Sequence, residues 1–472
     1  MDITTIKVLL FDLDGTLINT DMLESFRSLK HALYGTPKYK KAIEDTLSQY
    51  NTNKERERII YFNEWCISKL KEIVSYIGVV TKSPRDYAET VLKWAYPKTD
   101  FDIIVAHESV KMQKTNPECI YLALKDFYRR YNISKEDRNP NEILYVGNEN
   151  SDIETAYNAG VLSGIKLNDL QSRIDLNLEL IPDFEIHNFS ELKNVLNSPN
   201  ELLPIMEYGF NDVTNVLFRF PFRYETKIDW NKESYEIIVA GRYFPADTPF
   251  EVKRKYRRLS QEILENKNSL LYSDKWFETL RILLTNETEA SLIEDNYRVI
   301  LTCIPKRKGQ QDRLEYLLEK LRDYLENHPV KTDCEIHICP DLLAYTESAI
   351  SNHKEAKTKE RRFQNVQDNL FVKRTELLSN INKVIVIDDV VTTGASLIGA
   401  TKKINTENPN LYVVRFAFAQ TFSRVKCKAS IKNPGVSVFG SRLRRRLRRR
   451  LRLRLRLRLR LRRFCDQWRY RI

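Results

Sequence analysis

The sequence predicts an α/β protein built from two doubly wound parallel sheets, the first carrying a small helical cap insertion. Three observations predict this. Short, wholly apolar runs recur in both halves of the chain, as strands buried on both faces require. Stretches with apolar residues at helical spacing separate them. Acids, hydroxyls and a lysine follow directly after the runs, at the carboxyl ends where a parallel sheet gathers a site.

The first strand is expected at Val8 to Phe11, within IKVLLFDLDGTLINTD. Asp12-Leu13-Asp14-Gly15-Thr16 follows. Along an extended segment Asp12 and Asp14 point to one side and Leu13 to the other. Two neighbouring carboxylates repel unless a cation sits between them, so Mg²⁺ is expected. One carboxylate can attack a phosphoryl group while the other moves protons. About sixty residues of helical character come next, including KYKKAIEDTLSQY and IIYFNEWCISKLKEI. The second strand, in SYIGVVTKSP, ends at the hydroxyl of Thr81. The third, in FDIIVAHESVKMQKTNPE, is followed by Lys114. The fourth, Ile143 to Val146, is followed by Gly147, Asn148 and Asp152.

This order resembles the haloacid dehalogenase superfamily of phosphatases over roughly residues 5 to 195. The resemblance implies that Asp12 is the nucleophile, Asp14 the general acid/base, and Thr81 and Lys114 the phosphate clamp. It implies a Mg²⁺ site made by Asp12, Asp14, Asn148 and Asp152. Asn148 departs from the family, which usually has an acid there, so one negative charge is lost. Lys111 is a poorer match than Lys114, which lies closer to Pro117. The family's cap, here about 20–72, closes over the site and excludes water, which implies a small phosphorylated substrate. The cap aromatics Tyr61, Phe62 and Trp65 read as cap core, with stacking on a base as the alternative.

The first half is assigned to 1–195, a linker to 196–229 and the second half to 230–426. Strands are expected at Tyr235 to Ala240, Val299 to Ile304, Cys334 to Cys339, Val384 to Ile387 and Leu411 to Ala419. Leu314, Leu317, Leu318, Leu321 and Leu325 fall at helical spacing. After Ile387 come Asp388 and Asp389, then the small turn Thr392-Thr393-Gly394-Ala395-Ser396. Backbone N–H groups and hydroxyls at the start of a helix suit a phosphate, and carboxylates just before them suit ribose hydroxyls.

IDDVVTTG resembles the signature of the type I phosphoribosyltransferases, and the resemblance covers roughly 230 to 425. It implies phosphoribosyl pyrophosphate bound by Asp388, Asp389, Thr392, Thr393, Gly394, Ala395 and Ser396. In VILTCIPKRKGQQDR, Lys306 and Arg307 match the pyrophosphate loop. In KTKERRFQNVQDNLFVK, Arg361, Arg362 and Asn365 match competence-type members. The two resemblances together imply a bifunctional Mg²⁺-dependent enzyme, a phosphatase of a small metabolite joined to a phosphoribosyltransferase with a nitrogen acceptor. The alternative is a protein that senses phosphoribosyl pyrophosphate or a nucleotide without chemistry.

Composition bounds the rest. No apolar stretch approaches the ~18 residues that span a bilayer, so no membrane partner is expected. Nothing before Val8 resembles a signal peptide. The seven cysteines are odd in number and lack a CxxC, which fits a reducing cytoplasm. Cys334 to Cys339 alternates as a half-buried strand does, and is read so rather than as a metal site. The net charge is +13, yet residues 441–472 hold sixteen Arg against one acid, leaving −2 on the first 440 residues. The tail (427–472 is set apart from both halves) alternates Leu and Arg from Leu451 to Leu461. It reads either as an arm for nucleic acid or an acidic membrane surface, or as a non-native translation of a repeated hexanucleotide. A nucleic-acid partner is expected only if the tail is native, and assembly into an oligomer stays open.

Overall fold

Strand β1 (Val8–Phe11) is apolar at every position and buried at every position, because sheet neighbours and helices cover it on all sides. β2 (Tyr76–Val80), β3 (Ile103–Val105), β4 (Ile143–Gly147), β5 (Leu162–Lys166) and β6 (Phe184–Ile186) join it. The order is β3-β2-β1-β4-β5-β6 and every pairing is parallel. β1 and β4 are therefore central neighbours, and their carboxyl ends bring Asp12 beside Gly147. A computed structural model provides this description, covering residues 5–168, 180–203, 205–208, 217–224, 233–245, 254, 257–289, 297–330, 332–349 and 358–421.

Between β1 and β2 the chain forms a 3-10 turn (Asp21–Arg27) and helices α1 (Pro37–Ser48), α2 (Asn53–Ile59) and α3 (Glu64–Ile73). These elements occupy the segment read from the sequence as a cap. Thr52 and Glu55 cap α2 reciprocally, saturating two N–H groups that a helix start leaves open. Tyr39, Ile43 and Leu47 of α1 share one apolar core with Phe11, Leu13 and Leu17. Phe62 is fully buried, 5.7 Å from the Phe11 ring, while Trp65 is exposed and stands edge-on to Phe189. Phe62 is thus core, as the sequence suggests, and Trp65 is not. Helices α4 (Arg85–Ala95), α5 (Glu118–Arg130) and α6 (Asn150–Ala159) link the later strands.

The second sheet runs β11 (Glu335–Ile338), β10 (Arg298–Cys303), β14 (Lys383–Val391), β15 (Tyr412–Thr421), β8 (Glu233–Val239), β7 (Phe218–Tyr224), with β9 (Arg242–Tyr243) also on β15. Five expected strands are present. All pairings are parallel except that β7 runs antiparallel to β8. The expectation of a purely parallel second sheet is corrected here. β7 lies within 196–229, and the direct connection from β7 back to β8 produces the antiparallel edge. The helices Lys359–Asn369 and Ala395–Glu407 pack on one face. Arg258–Ser269, Asp274–Glu289 and Arg313–Asn327 pack on the other, the last through Leu314, Leu317, Leu318 and Leu321. A small antiparallel pair, β12 (Leu343–Tyr345) with β13 (Leu370–Val372), stands apart from the sheet. β11 alternates in exposure, and Cys334, Cys339 and the other described cysteines are free thiols.

A buried ionic cluster joins the two halves. Arg242 contacts Glu207 and Asp183, and Arg257 contacts the same two carboxylates at 3.2 and 3.0 Å. All four side chains are within a few percent of full burial. Tyr157 of α6 accepts from Arg242 and donates to the Ile181 carbonyl. No helix among the described residues is long and apolar enough to cross a membrane. The tail beyond 421 lies outside the described residues.

Candidate functional site

The first site forms where β1, β2 and β4 end. Lys114, from the segment after β3, projects between two carboxylates. Its Nζ donates to Asp12 Oδ1 at 2.5 Å and to Asp152 Oδ1 at 3.0 Å, and all three side chains are buried or nearly so. Asp152 stands in the first turn of α6. Its Oδ2 accepts the backbone N–H groups of Asn148 and Glu149, each at 3.1 Å, and its Oδ1 also accepts from Tyr145 at 2.9 Å. The strand end before it must be glycine, because a Cβ on Gly147 would stand 2.2 Å from the Cβ of Asp152.

Burial pushes the Asp12 carboxyl up to about 7, against the pull of Lys114, with the charges of Asp152 and Asp14 adding to the push. Burial acts the same way on Asp152. There the Lys114 charge and the hydrogen bonds from Lys114 and Tyr145 prevail, holding it below its ordinary value. Burial would lower Lys114, but the two carboxylates outweigh it and keep the amine charged.

Asp14 turns to a different set of partners. Thr20 donates to its Oδ1 at 2.5 Å and Tyr87 at 2.7 Å. Ser83 donates to its Oδ2 at 2.6 Å and Thr81 at 3.4 Å. Arg27, from the cap side, brings its Nε within 3.4 Å of Oδ1. Asn148 accepts a hydrogen bond from Thr16 at 3.2 Å. The structure therefore brings Asp12, Asp14, Thr81, Lys114, Asn148 and Asp152 to one sheet edge. Lys111 is exposed, and nothing places its side chain among them. Sequence reasoning missed Thr20, Arg27, Ser83, Tyr87 and Tyr145. Only Ser83 carried a signal, two residues after Thr81 on the same strand-end loop.

The donors at this edge are all oxygens, from carboxylates and one amide, which suits a hard divalent cation. Asp12, Asp14 and Asp152 supply three carboxylates, and the amide of Asn148 leaves one charge fewer than a fourth acid would give. Among the described residues no group of three or more His, Cys, Asp or Glu is placed to hold a metal.

The second site lies at the end of β14. Asp388 and Asp389 occupy its last turns of strand, and Gly394 begins the helix Ala395–Glu407 with φ +76°. That backbone conformation is natural only to glycine, and it swings the TTGAS turn under the helix start. Loss of solvent, then the Asp389 charge, pushes the Asp388 carboxyl well above its ordinary range. Asp389 receives Arg313 at 2.7 Å. Arg307 lies over the Tyr345 ring at 4.5 Å and donates to its hydroxyl at 3.0 Å. The Arg307 charge also acts on Asp388 and opposes part of that push. Arg307 thus joins the acids. Lys306 instead faces Asp312 at 3.5 Å. Arg361 is exposed on the helix Lys359–Asn369, Arg362 half-buried and Asn365 buried. Arg313 and Tyr345 were not anticipated.

Residues 24–165 match the family described as haloacid dehalogenase-like hydrolase. The pyrophosphatase PpaX of Bacillus cereus strain ATCC 10987 is 28% identical over 223 residues, covering 41% of this chain and 98% of that protein. PpaX of Bacillus cereus strain Q1 is 29% identical with the same coverage. Among solved structures, CbbY from Rhodobacter sphaeroides in complex with phosphate covers 40% of this chain and 96% of its own, at 17% identity and TM-score 0.28. A HAD-superfamily hydrolase from Geobacter sulfurreducens covers 40% of this chain and 100% of its own, at 17% identity and TM-score 0.27. The N-terminal part of this chain carries a hydrolase domain of the haloacid dehalogenase superfamily.

Proposed function

We propose that the first half is a phosphatase that acts through Asp12, and that the second half binds phosphoribosyl pyrophosphate for transfer of its ribose 5-phosphate. The observation that carries the first reading is Lys114 lodged between Asp12 and Asp152. In the reaction, Asp12 Oδ attacks phosphorus as the bond to the leaving oxygen breaks. Asp14 gives that oxygen a proton. A water then gives its proton to Asp14 and attacks phosphorus, and the bond to Asp12 breaks to free phosphate. Lys114 and Thr81 hold the phosphoryl oxygens. Mg²⁺, which Asp12, Asp14, Asn148 and Asp152 would hold, would neutralise charge on the phosphoryl group.

The relatives named pyrophosphatase make pyrophosphate the leading candidate substrate. The second half supports that choice. Transfer from phosphoribosyl pyrophosphate to a nitrogen acceptor would release pyrophosphate, which the first half would then cleave. The two acids at the end of β14, the Gly394 turn that starts the next helix and the Arg307 charge acting on Asp388 favour the transferase reading.

Two measurements test this. Phosphate release from pyrophosphate and a panel of phosphomonoesters with Mg²⁺ should fall at least about a thousandfold in Asp12→Asn. Unchanged release would sink the nucleophile. Calorimetry with phosphoribosyl pyrophosphate should show binding that Asp388→Asn/Asp389→Asn abolishes. Binding without pyrophosphate release in the presence of any base would favour a sensing role.

A further inference from the structure

Asp14 is held by side chains from three different places. Thr20 and Arg27 lie on the cap side of β1, and Thr81 and Ser83 on the loop after β2. Tyr87 comes from the first turn of α4. It differs from the others in its anchoring. Its ring is fully buried in the core that contains Phe11, Leu17, Ala88 and Val91. Thr20 and Arg27 belong to the segment after β1, whereas the Tyr87 hydroxyl is fixed by the packing of a helix on the sheet. A hydroxyl 2.7 Å from Oδ1 limits the Asp14 side chain to the rotamer that keeps Oδ2 against Ser83 and Thr81.

We propose that Tyr87 is a positioning residue that holds the Asp14 carboxyl on the phosphate side of the site, ready to protonate the leaving oxygen. The proposal rests on the phosphatase reading above. It makes a prediction that a packing role does not. A leaving group that departs readily as an anion needs little help from Asp14, and a poor one needs much. Tyr87 should therefore matter in proportion to the leaving group.

The test compares 4-nitrophenyl phosphate with phenyl phosphate, two esters of similar shape, for wild type, Tyr87→Phe, Thr20→Val and Asp12→Asn. The ratio kcat/KM reports the transfer step. Tyr87→Phe should lose about tenfold on phenyl phosphate and less than about threefold on 4-nitrophenyl phosphate. Thr20→Val, which removes a second hydroxyl donor to the same oxygen and lies outside α4, should show the same asymmetry. Equal losses on both esters with a lowered melting temperature would mean packing alone and overturn the proposal. So would unchanged or raised activity in Tyr87→Phe. Wild-type rates in Asp12→Asn, or no turnover of either ester by wild type, would instead overturn the phosphatase reading and this proposal with it.

Discussion

Replacing Arg242 with Met tests whether the buried ionic cluster holds the two halves together. The guanidinium donates five hydrogen bonds, all from a side chain that is 3% exposed. Nε reaches Glu207 Oε1 at 2.6 Å, and Nη2 reaches Glu207 Oε2 at 2.6 Å and Asp183 Oδ1 at 2.5 Å. Nη1 reaches Tyr157 Oη at 2.9 Å and the Ile181 carbonyl at 3.0 Å. Methionine fills much of the volume but supplies no donor. Asp183 and Glu207 would lose the guanidinium that bridges them, with Arg257 still 3.0 and 3.2 Å from them and Ser163 still donating to Asp183. Removing one partner of such a group costs about 3–5 kcal/mol, a large part of the ~5–15 kcal/mol that keeps a protein folded. Equilibrium unfolding in urea, followed by far-UV circular dichroism and tryptophan fluorescence, would measure it. We expect a loss of about 4 kcal/mol. A loss below about 1 kcal/mol would show that the carboxylates are already hydrated or protonated, and would refute the reasoning.

Other expectations follow from single contacts. Gly147→Ala forces a methyl to within 2.2 Å of Asp152 Cβ; it should cost about 1–3 kcal/mol and reduce phosphatase activity together with stability, measured by thermal melting and phosphate release. Asp388 has a folded value well above its unfolded one, so its ionisation disfavours the fold. That cost is absent at acid pH and grows as pH rises from the ordinary carboxylate range through the folded value. Asp388→Asn should therefore raise the melting temperature at pH 8, with a gain that shrinks on acidification. A gain that is independent of pH would contradict the assignment. Arg307→Ala should weaken binding of phosphoribosyl pyrophosphate at least about tenfold by calorimetry, whereas Lys306→Ala, which faces Asp312, should weaken it less.

Most strands read from the sequence are apolar runs in the sheet interiors, and β11 was read instead from its alternation. Val8–Phe11, Ile143–Gly147 and the stretch Val384 to Ile387 within β14 are near-continuous apolar runs that only a covered parallel sheet accommodates. The site residues were legible where they immediately follow such a run, as Asp12, Thr81 and Asp388 do. Strand β7 was missed although FRFPFRY alternates, because Pro221 argues against a strand interior and only an edge tolerates it. Tyr87 was missed for another reason. It sits in an amphipathic helix, where a buried tyrosine reads as core, and it is both core and donor. The ionic cluster was beyond reach, since Arg242 finds its partners 35, 59 and 85 residues away in the chain. Pairings at such separations are set by topology, which local pattern does not encode.

The two borders of the second sheet have a consequence for how the protein behaves in concentrated solution. The described sheet ends at β7 on one side and at β11 on the other. An open border invites a further strand from another molecule, the first step toward aggregates. β7 carries Pro221 at its middle, opposite Glu236, and proline has no N–H to offer a newcomer. β11 is four residues long and shows Glu335 and His337 to solvent, with Glu335 held by Arg298 at 2.8 Å. A missing donor guards one border, and shortness with charge guards the other. Pro221→Thr would restore the donor and should make the protein more prone to form fibres on storage.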